Sequence, residues 1–297
     1  MMGCKAVQYA ANFNSPTNKN PMGRKRKYRN RTGKTLADTA DRHHLYQLAV
    51  QCVESEIDMV DDTYREIRGR HAAVLREDFC GTGNTSCEWV RRRPTNTATG
   101  FDLDAEVLDW GRRKNVSQLD RHQQSRIQLR QQDVREAGNT EADLILAMNF
   151  SYQIFKTRDQ LRGYFAAAHA GLAEDGLLMM DGFGGHETWR TIKEKTKHDD
   201  FTYLWEQRKF NPITFEMQCH IHFRFPDGSK MKRAFSYEWR MWTLPEIRNL
   251  LEEAGFGKST VYWEGTDEET GEGNDEYAPT EEGEDDPSWI VYIVAEK

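Results

Sequence analysis

Along residues 73–183, short apolar runs alternate with stretches in which apolar positions recur every three or four residues. The first pattern predicts strands and the second amphipathic helices. Strands are expected at 73–79, 97–103, 126–131, 142–150 and 176–183, with helices at 84–93, 105–119 and 158–172. Most crossovers are long enough to carry a helix, as parallel pairing requires. Upstream, Leu45, Leu48, Ala49, Cys52, Val53, Ile57, Val60, Tyr64 and Ile67 fall at helical spacing, with Thr39 or Asp41 suited to cap the start. One or two helices therefore precede the sheet.

After residue 183 the rhythm changes. Residues 213–225 and 230–239 alternate as strands do, and Pro-Asp-Gly-Ser at 226–229 supplies a tight turn, so a β-hairpin insertion is expected. A helix then starts near Thr243 and stops at Gly255, and 258–264 and 288–295 read as two final strands. These two lack a helix between them, which predicts an antiparallel pair at the sheet edge. The fold class is α/β: a seven-stranded, mostly parallel sheet flanked by helices, its last strand antiparallel, with an N-terminal helical extension.

Charge adds two tracts to this picture. Residues 23–34 hold seven basic residues and no acidic one, and 266–287 hold eleven acidic residues and no basic one. The formal net charge of −7 hides that asymmetry, since the remainder is close to neutral. Residues 1–38 read as a flexible basic extension; contact with nucleic acid or another anionic partner is the less favoured meaning of such a cluster. The acidic tract reads as a flexible loop, because it lacks the apolar residues needed to balance the entropy of ordering. No run approaches the roughly 20 apolar residues of a membrane span. The first residues lack the charged start and apolar run of a secretory signal, so a cytoplasmic location is expected. Cys4, Cys52, Cys80, Cys87 and Cys219 are scattered without a paired spacing, which indicates reduced thiols and no zinc site.

Candidate chemistry lies at the expected strand ends. Val-Leu-Arg-Glu-Asp-Phe-Cys-Gly-Thr-Gly at 74–83 runs from an apolar strand through two acidic residues into a glycine turn. Glycines there let a nucleotide-like ligand approach the backbone, and the next helix presents free amides. Asp102 ends the next strand about 20 residues on, where an acidic side chain can accept from ribose hydroxyls, while Asp104 suits helix capping. Asp133 and Val134 follow the third strand, and Asn149, Ser151 and Tyr152 follow the fourth.

In this order the motifs resemble the class I, Rossmann-like S-adenosylmethionine-dependent methyltransferases over about residues 73–185. The resemblance implies a methyltransferase with S-adenosyl-L-methionine as cofactor. It assigns the methionine part to Glu77 and to the loop holding Cys80, Gly81 and Gly83, with Asp78 competing for the acidic role. Ribose falls to Asp102, with Leu103 beside it, and the adenine amino group to Asp133, with Val134 offering a neighbouring backbone amide. Asn149 and Tyr152 come near the transferred methyl group as candidate catalytic residues, Asn149 also touching cofactor. Asn-Phe-Ser-Tyr at 149–152 is similar to the Asn-Pro-Pro-Tyr motif of amino-group methyltransferases in its first and last residues only. One position departs from the family: Phe79 stands where the first loop glycine is usual, and phenylalanine does not adopt positive φ cheaply.

The implied division is a single methyltransferase domain over 39–297. It comprises a helical cap (39–70), a cofactor-binding half (71–185), and a substrate-side hairpin with the C-terminal strands (186–297). The acceptor is expected to be a small molecule, with no membrane partner and no metal. His186, in the glycine-rich segment after the fifth strand, is a candidate base, though surface polarity is the commoner role of a loop histidine. Two other readings stay open: an NAD(P)-dependent Rossmann oxidoreductase, against which Ser86 replaces the third glycine of that motif, and a binding protein that keeps the fold without catalysis.

Overall fold

Strand β4 (Ala142–Ala147) is buried at every position, as expected of a strand covered by helices on both sides. It lies at the centre of the sheet in a computed structural model that describes residues 33–267 and 273–297. Three helices come first: α1 (Leu36–Thr39), α2 (Arg42–Val50), capped by Asp41, and α3 (Val53–Arg68). They lead into β1 (Val74–Asp78), α4 (Asn84–Arg92), β2 (Thr97–Asp102), α5 (Ala105–Lys114), α6 (Arg121–Gln124) and β3 (Ile127–Gln131). After β4 come α7 (Arg158–Gly171) and β5 (Leu172–Gly184). β1 to β5 form a parallel set in the order β5-β4-β1-β2-β3.

The insertion is larger than a hairpin. β6 (Ile192–Lys197), β7 (Thr202–Phe210), β8 (Glu216–Arg224) and β9 (Lys230–Arg240) make a separate four-stranded antiparallel sheet. β8 begins at Glu216 rather than at 213, because Ile213 is 90% exposed in the turn and Phe215 takes a φ of +58°. The turn at Asp227 and Ser229 accepts the backbone amides of Leu36 and Ala37 at 2.8 and 3.1 Å, so α1 is anchored on the insertion. Of the basic extension, residues 1–32 lie outside the described residues.

The chain returns through α8 (Leu244–Glu253), β10 (Lys258–Thr266), β11 (Gly273–Thr280) and β12 (Trp289–Glu296). β12 pairs antiparallel with both β5 and β10, giving the expected antiparallel last strand. The main sheet has eight strands, not seven, because β11 pairs along the edge of β10. β11 lies inside the acidic tract and corrects the expectation of a loop across 266–287. Edge pairing uses backbone groups and leaves the acidic side chains in water, while the Tyr277 ring packs edge-on against Tyr292 at 4.6 Å. Residues 268–272 lie outside the described residues.

Apolar side chains from α7 and α8 pack one face of the main sheet, and those from α3 and α4 pack the other. A third cluster joins α2, Phe183 of β5 and the insertion sheet. Cys80, Cys87 and Cys219 are free and buried, but Cys52 is disulfide-bonded, which corrects the expectation of reduced thiols throughout. No helix among the described residues is long and apolar enough to cross a membrane.

Candidate active site

The strand order reverses between β1 and β4: the chain builds outward to β2 and β3 on one side and to β5 on the other. The loops after β1 and β4 therefore diverge and leave a crevice beyond their carboxyl ends, where open α/β sheets place ligands. Both loops carry unusual backbone. Phe79, Gly81 and Gly83 have φ values of +57°, +52° and +64°, and Asn149 and Phe150 follow at +58° and +57°.

Phe79 thus adopts the left-handed conformation of the glycine it stands for, at a cost of about 1–2 kcal/mol for a side-chain-bearing residue. Its ring offsets that cost by packing against Tyr164 and Phe155, with centroids 5.5 and 6.0 Å away. Cys80 N–H donates to the Phe101 carbonyl at 2.9 Å, and Gly83 N–H closes the turn on the Cys80 carbonyl at 2.8 Å. A Cβ on Gly81 would meet nothing within 4 Å, whereas one on Gly83 would lie 2.7 Å from Leu129 Cδ2. Gly81 faces open space and Gly83 is needed for packing. Helix α2 covers the loop: Gln47 Nε2 donates to Thr82 Oγ1 at 2.9 Å, and Trp110 Nε1 donates to Asp41 Oδ2 at 2.6 Å.

Glu77 and Asp78 are adjacent on β1, so their side chains leave opposite faces of the sheet. Asp78 accepts from Arg76 Nε at 2.7 Å and Nη2 at 3.1 Å, and from the Tyr164 hydroxyl at 3.0 Å, all buried. Arg76 also reaches the Val134 carbonyl at 2.6 Å and so ties β1 to the loop after β3. Asp78 is committed to that network and turned away from the crevice. Glu77 accepts from the backbone amide of Ser86 at 2.9 Å and from its hydroxyl, at the first turn of α4. No cation pairs with it among the described residues, and burial pushes its carboxyl up to about 7.

Asp102 ends β2 and accepts one backbone amide on each oxygen, Gly81 N–H at 2.8 Å and Asp104 N–H at 2.9 Å. Burial raises its carboxyl above the ordinary value in spite of both bonds. Leu103 beside it is 62% exposed, an apolar surface turned to solvent. Asp104 caps α5 through the amides of Glu106 and Val107, the role its sequence position suggested. Asp133 is bound to Arg135 through both oxygens, at 3.0 and 2.6 Å, and that pairing holds its carboxyl low. The Val134 side chain is buried.

At the end of β4, the amides of Asn149 and Phe150 donate to the two oxygens of Asp181 on β5, at 2.7 and 2.8 Å. This bidentate grip holds the two consecutive left-handed residues. Burial lifts the Asp181 carboxyl to about 7. Tyr152, expected near the chemistry, is 1% exposed and packs in the core beneath α7 and α8. The chain turns through one tight helical turn after Phe150, which sends Asn149 outward and Tyr152 inward.

Asn149 and Phe150 open onto a cavity of about 640 Å³, part of it open to solvent, between the main sheet, α2, α3 and the insertion. Its walls are aromatic, with Tyr46, Tyr203, Trp205, Tyr237 and Trp239 among them, and it contains the carboxylates of Glu56 and Asp181. Aromatic walls with a few polar groups are the kind of lining that holds a small organic molecule. Glu56 Oε1 accepts only a long bond from Cys52 N–H at 3.4 Å, and Oε2 is shut off from solvent without a partner. Burial lifts its carboxyl to about 7 as well. His186 is exposed in the turn after β5 and does not line the cavity. Sequence reasoning missed Glu56, Asp181 and the β7 aromatics, although the alternation of Tyr203, Trp205 and Gln207 was a readable strand signal. No group of three or more His, Cys, Asp or Glu side chains among the described residues is placed to hold a metal ion.

No family model matches the chain, and neither does any curated protein. Solved structures do. An S-adenosylmethionine-dependent methyltransferase from Clostridium acetobutylicum superposes with a TM-score of 0.63 at 18% identity, covering 86% of this chain and 96% of its own. CalS10, an amino pentose methyltransferase from Micromonospora echinaspora solved with S-adenosylmethionine, gives 0.59 at 18% identity over 86% and 96%. The sugar N-methyltransferase KedS8 from Streptoalloteichus gives 0.57 at 15% identity over 97% and 99%. With the strand order and loop positions above, these likenesses show that the chain has the class I, Rossmann-like fold of the S-adenosylmethionine-dependent methyltransferases.

Proposed function

We propose that the protein transfers a methyl group from S-adenosylmethionine to a small-molecule acceptor held in the aromatic cavity. The observation that carries the reading is a set of features at the carboxyl ends of neighbouring strands. Open space lies over Gly81, Asp102 stands beside it, and Asn149 begins the cavity across the strand reversal. When bound, the cofactor supplies a methyl group already activated by the positive charge on sulfur, so no covalent intermediate with the protein is required.

The residues present fit that group. Gly81 lacks the side chain that would fill the approach, and the Asp102 carboxylate keeps acceptor capacity for a ribose hydroxyl beyond its backbone donors. Exposed Leu103 offers apolar surface to the adenine ring. Glu77 is the acidic group for the methionine amine, while Asp78 is assigned to structure because Arg76 and Tyr164 occupy it. Asp133 shares its oxygens with Arg135 and serves the adenine edge only if that pair opens. Asn149 sits where the two parts meet, and the cavity walls align the acceptor and exclude water. A small acceptor is supported by the cavity's aromatic lining and by neighbours described as amino pentose and sugar N-methyltransferases.

Calorimetry with S-adenosylmethionine and with NAD(P), followed by methyl-labelled cofactor and a small-molecule extract, tests the reading. The expected result is binding of S-adenosylmethionine alone and label in a low-mass product. Tight NAD(P) binding without S-adenosylmethionine binding overturns it in favour of an oxidoreductase.

A further inference from the structure

The cavity's ionisable inventory is one-sided. Among its lining residues are two carboxylates, Glu56 from α3 and Asp181 from β5, and no Lys, Arg or His. Among the described residues, the groups that face Glu56 electrostatically are Glu77 from β1, Asp181, Tyr46 from α2 and Tyr292 from β12, again without a cation. Asp181 faces Glu56, Tyr46, Tyr152, Tyr277 and Tyr292. On the other face of β1 a buried acid is given its counter-ion, as Asp78 is by Arg76. Two acids left together in an apolar chamber, one with an oxygen that has no donor, form a site that lacks its positive partner.

Resting on the methyl-transfer reading of this site, we propose that the acceptor is an amine, bound as its ammonium ion between Glu56 and Asp181 against the surrounding tyrosine and tryptophan rings. The ring faces attract a cation, and their attraction strengthens where water is excluded. A carboxylate or phosphate acceptor is repelled by both acids. An aliphatic hydroxyl would bring no charge to them and is far too weak an acid to surrender its proton to a carboxylate.

The reaction then balances simply. The bound ammonium gives one N–H proton to the Glu56 carboxylate and regains a nitrogen lone pair. That pair forms the new C–N bond as the methyl carbon–sulfur bond breaks and its electrons return to sulfur, which leaves as a neutral thioether. The product nitrogen carries the positive charge, and Glu56 returns its proton to water. A carboxyl lifted by burial to about 7 is matched to this exchange near neutral pH.

The test titrates the whole protein with benzylamine, benzyl alcohol and benzoate, probes of one shape and three chemistries, at pH 6 and pH 8. Benzylamine is expected to bind at least tenfold more tightly than either partner at pH 8, with the preference shrinking at pH 6 as the acids protonate. Glu56→Gln is expected to cut the preference at least fivefold with no loss of melting temperature, and Asp181→Asn supplies a second variant if the first does not fold. Equal or reversed affinities, the binding of none of the three, or an undiminished preference in both folded variants overturns the inference. S-adenosylmethionine is titrated separately. Its failure to bind overturns the methyl-transfer reading while the amine preference is still measured, and cofactor binding without that preference overturns the amine inference alone.

Discussion

The two faces of β1 treat buried acid in opposite ways. Beneath α7 and α8, Asp78 is fully enclosed and fully answered, by the Arg76 guanidinium and the Tyr164 hydroxyl. Beneath α3 and the insertion, Glu77, Glu56 and Asp181 are enclosed with backbone amides and a hydroxyl as donors but no cation. The difference teaches where the molecule stores structure and where it keeps capacity for a ligand. A compensated charge holds elements together; an uncompensated one is destabilising until something positive arrives.

The comparison can be broken most forcefully at Arg76. Arg76→Met leaves Asp78 buried without its counter-ion and is expected to lower stability by about 3–5 kcal/mol in chemical denaturation. A loss under about 1 kcal/mol would mean that Asp78 is held neutral and the two faces are alike. On the ligand side, Asp102→Ala removes a proposed charge-assisted partner of the cofactor. Its expected effect is about 1–3 kcal/mol in S-adenosylmethionine affinity by calorimetry, in a protein that still folds. Unchanged affinity would reject the ribose role.

The smallest effect, and the one that sharpens the contrast most directly, is in the pH dependence of stability. Glu56 has its carboxyl raised from 4.5 to about 7 on folding, so between those values the folded state binds more protons than the unfolded one. Its contribution to stability is full below about 4.5 and is lost as pH rises to about 7. Glu56→Gln does not titrate. Without ligand, the variant is expected to exceed the wild type at pH 8 by about 1–2 kcal/mol, the cost of an unsatisfied buried group, with the gap closing towards pH 4.5. Parallel stability curves for the two proteins would show that Glu56 is compensated after all.

Much of the candidate site was legible because it follows from strand ends. Gly81, Asp102 and Asn149 were found by locating where apolar runs stop, and all three border the crevice. Asp78 and Tyr152 were not separable from their neighbours in the same way. Alternation says that Glu77 and Asp78 point apart, and that says nothing of which face carries the ligand. Tyr152 was drawn inward into the core cluster that also holds Phe155 and Tyr164, a packing that no local pattern announces. Phe79 read as an obstacle because its backbone penalty was visible while the rings that offset it were not. Glu56 carried no signal of its own on an amphipathic helix beside Ile57 and Val60.

What the sequence determined by itself was the succession of elements over residues 73–183 and their parallel, helix-covered arrangement, together with the strand-end loops. Apolar period, turn residues and caps act over a few residues, so a linear reading recovers them. Which acids received a cation was decided only by the tertiary structure, as were the closing of an aromatic chamber over Asn149 and the addition of β11 to an exposed edge. Those outcomes depend on groups from α2, α3, β5, β7 and β12 that are far apart in the chain. Burial sets their charge states, and burial exists only once those elements have packed together.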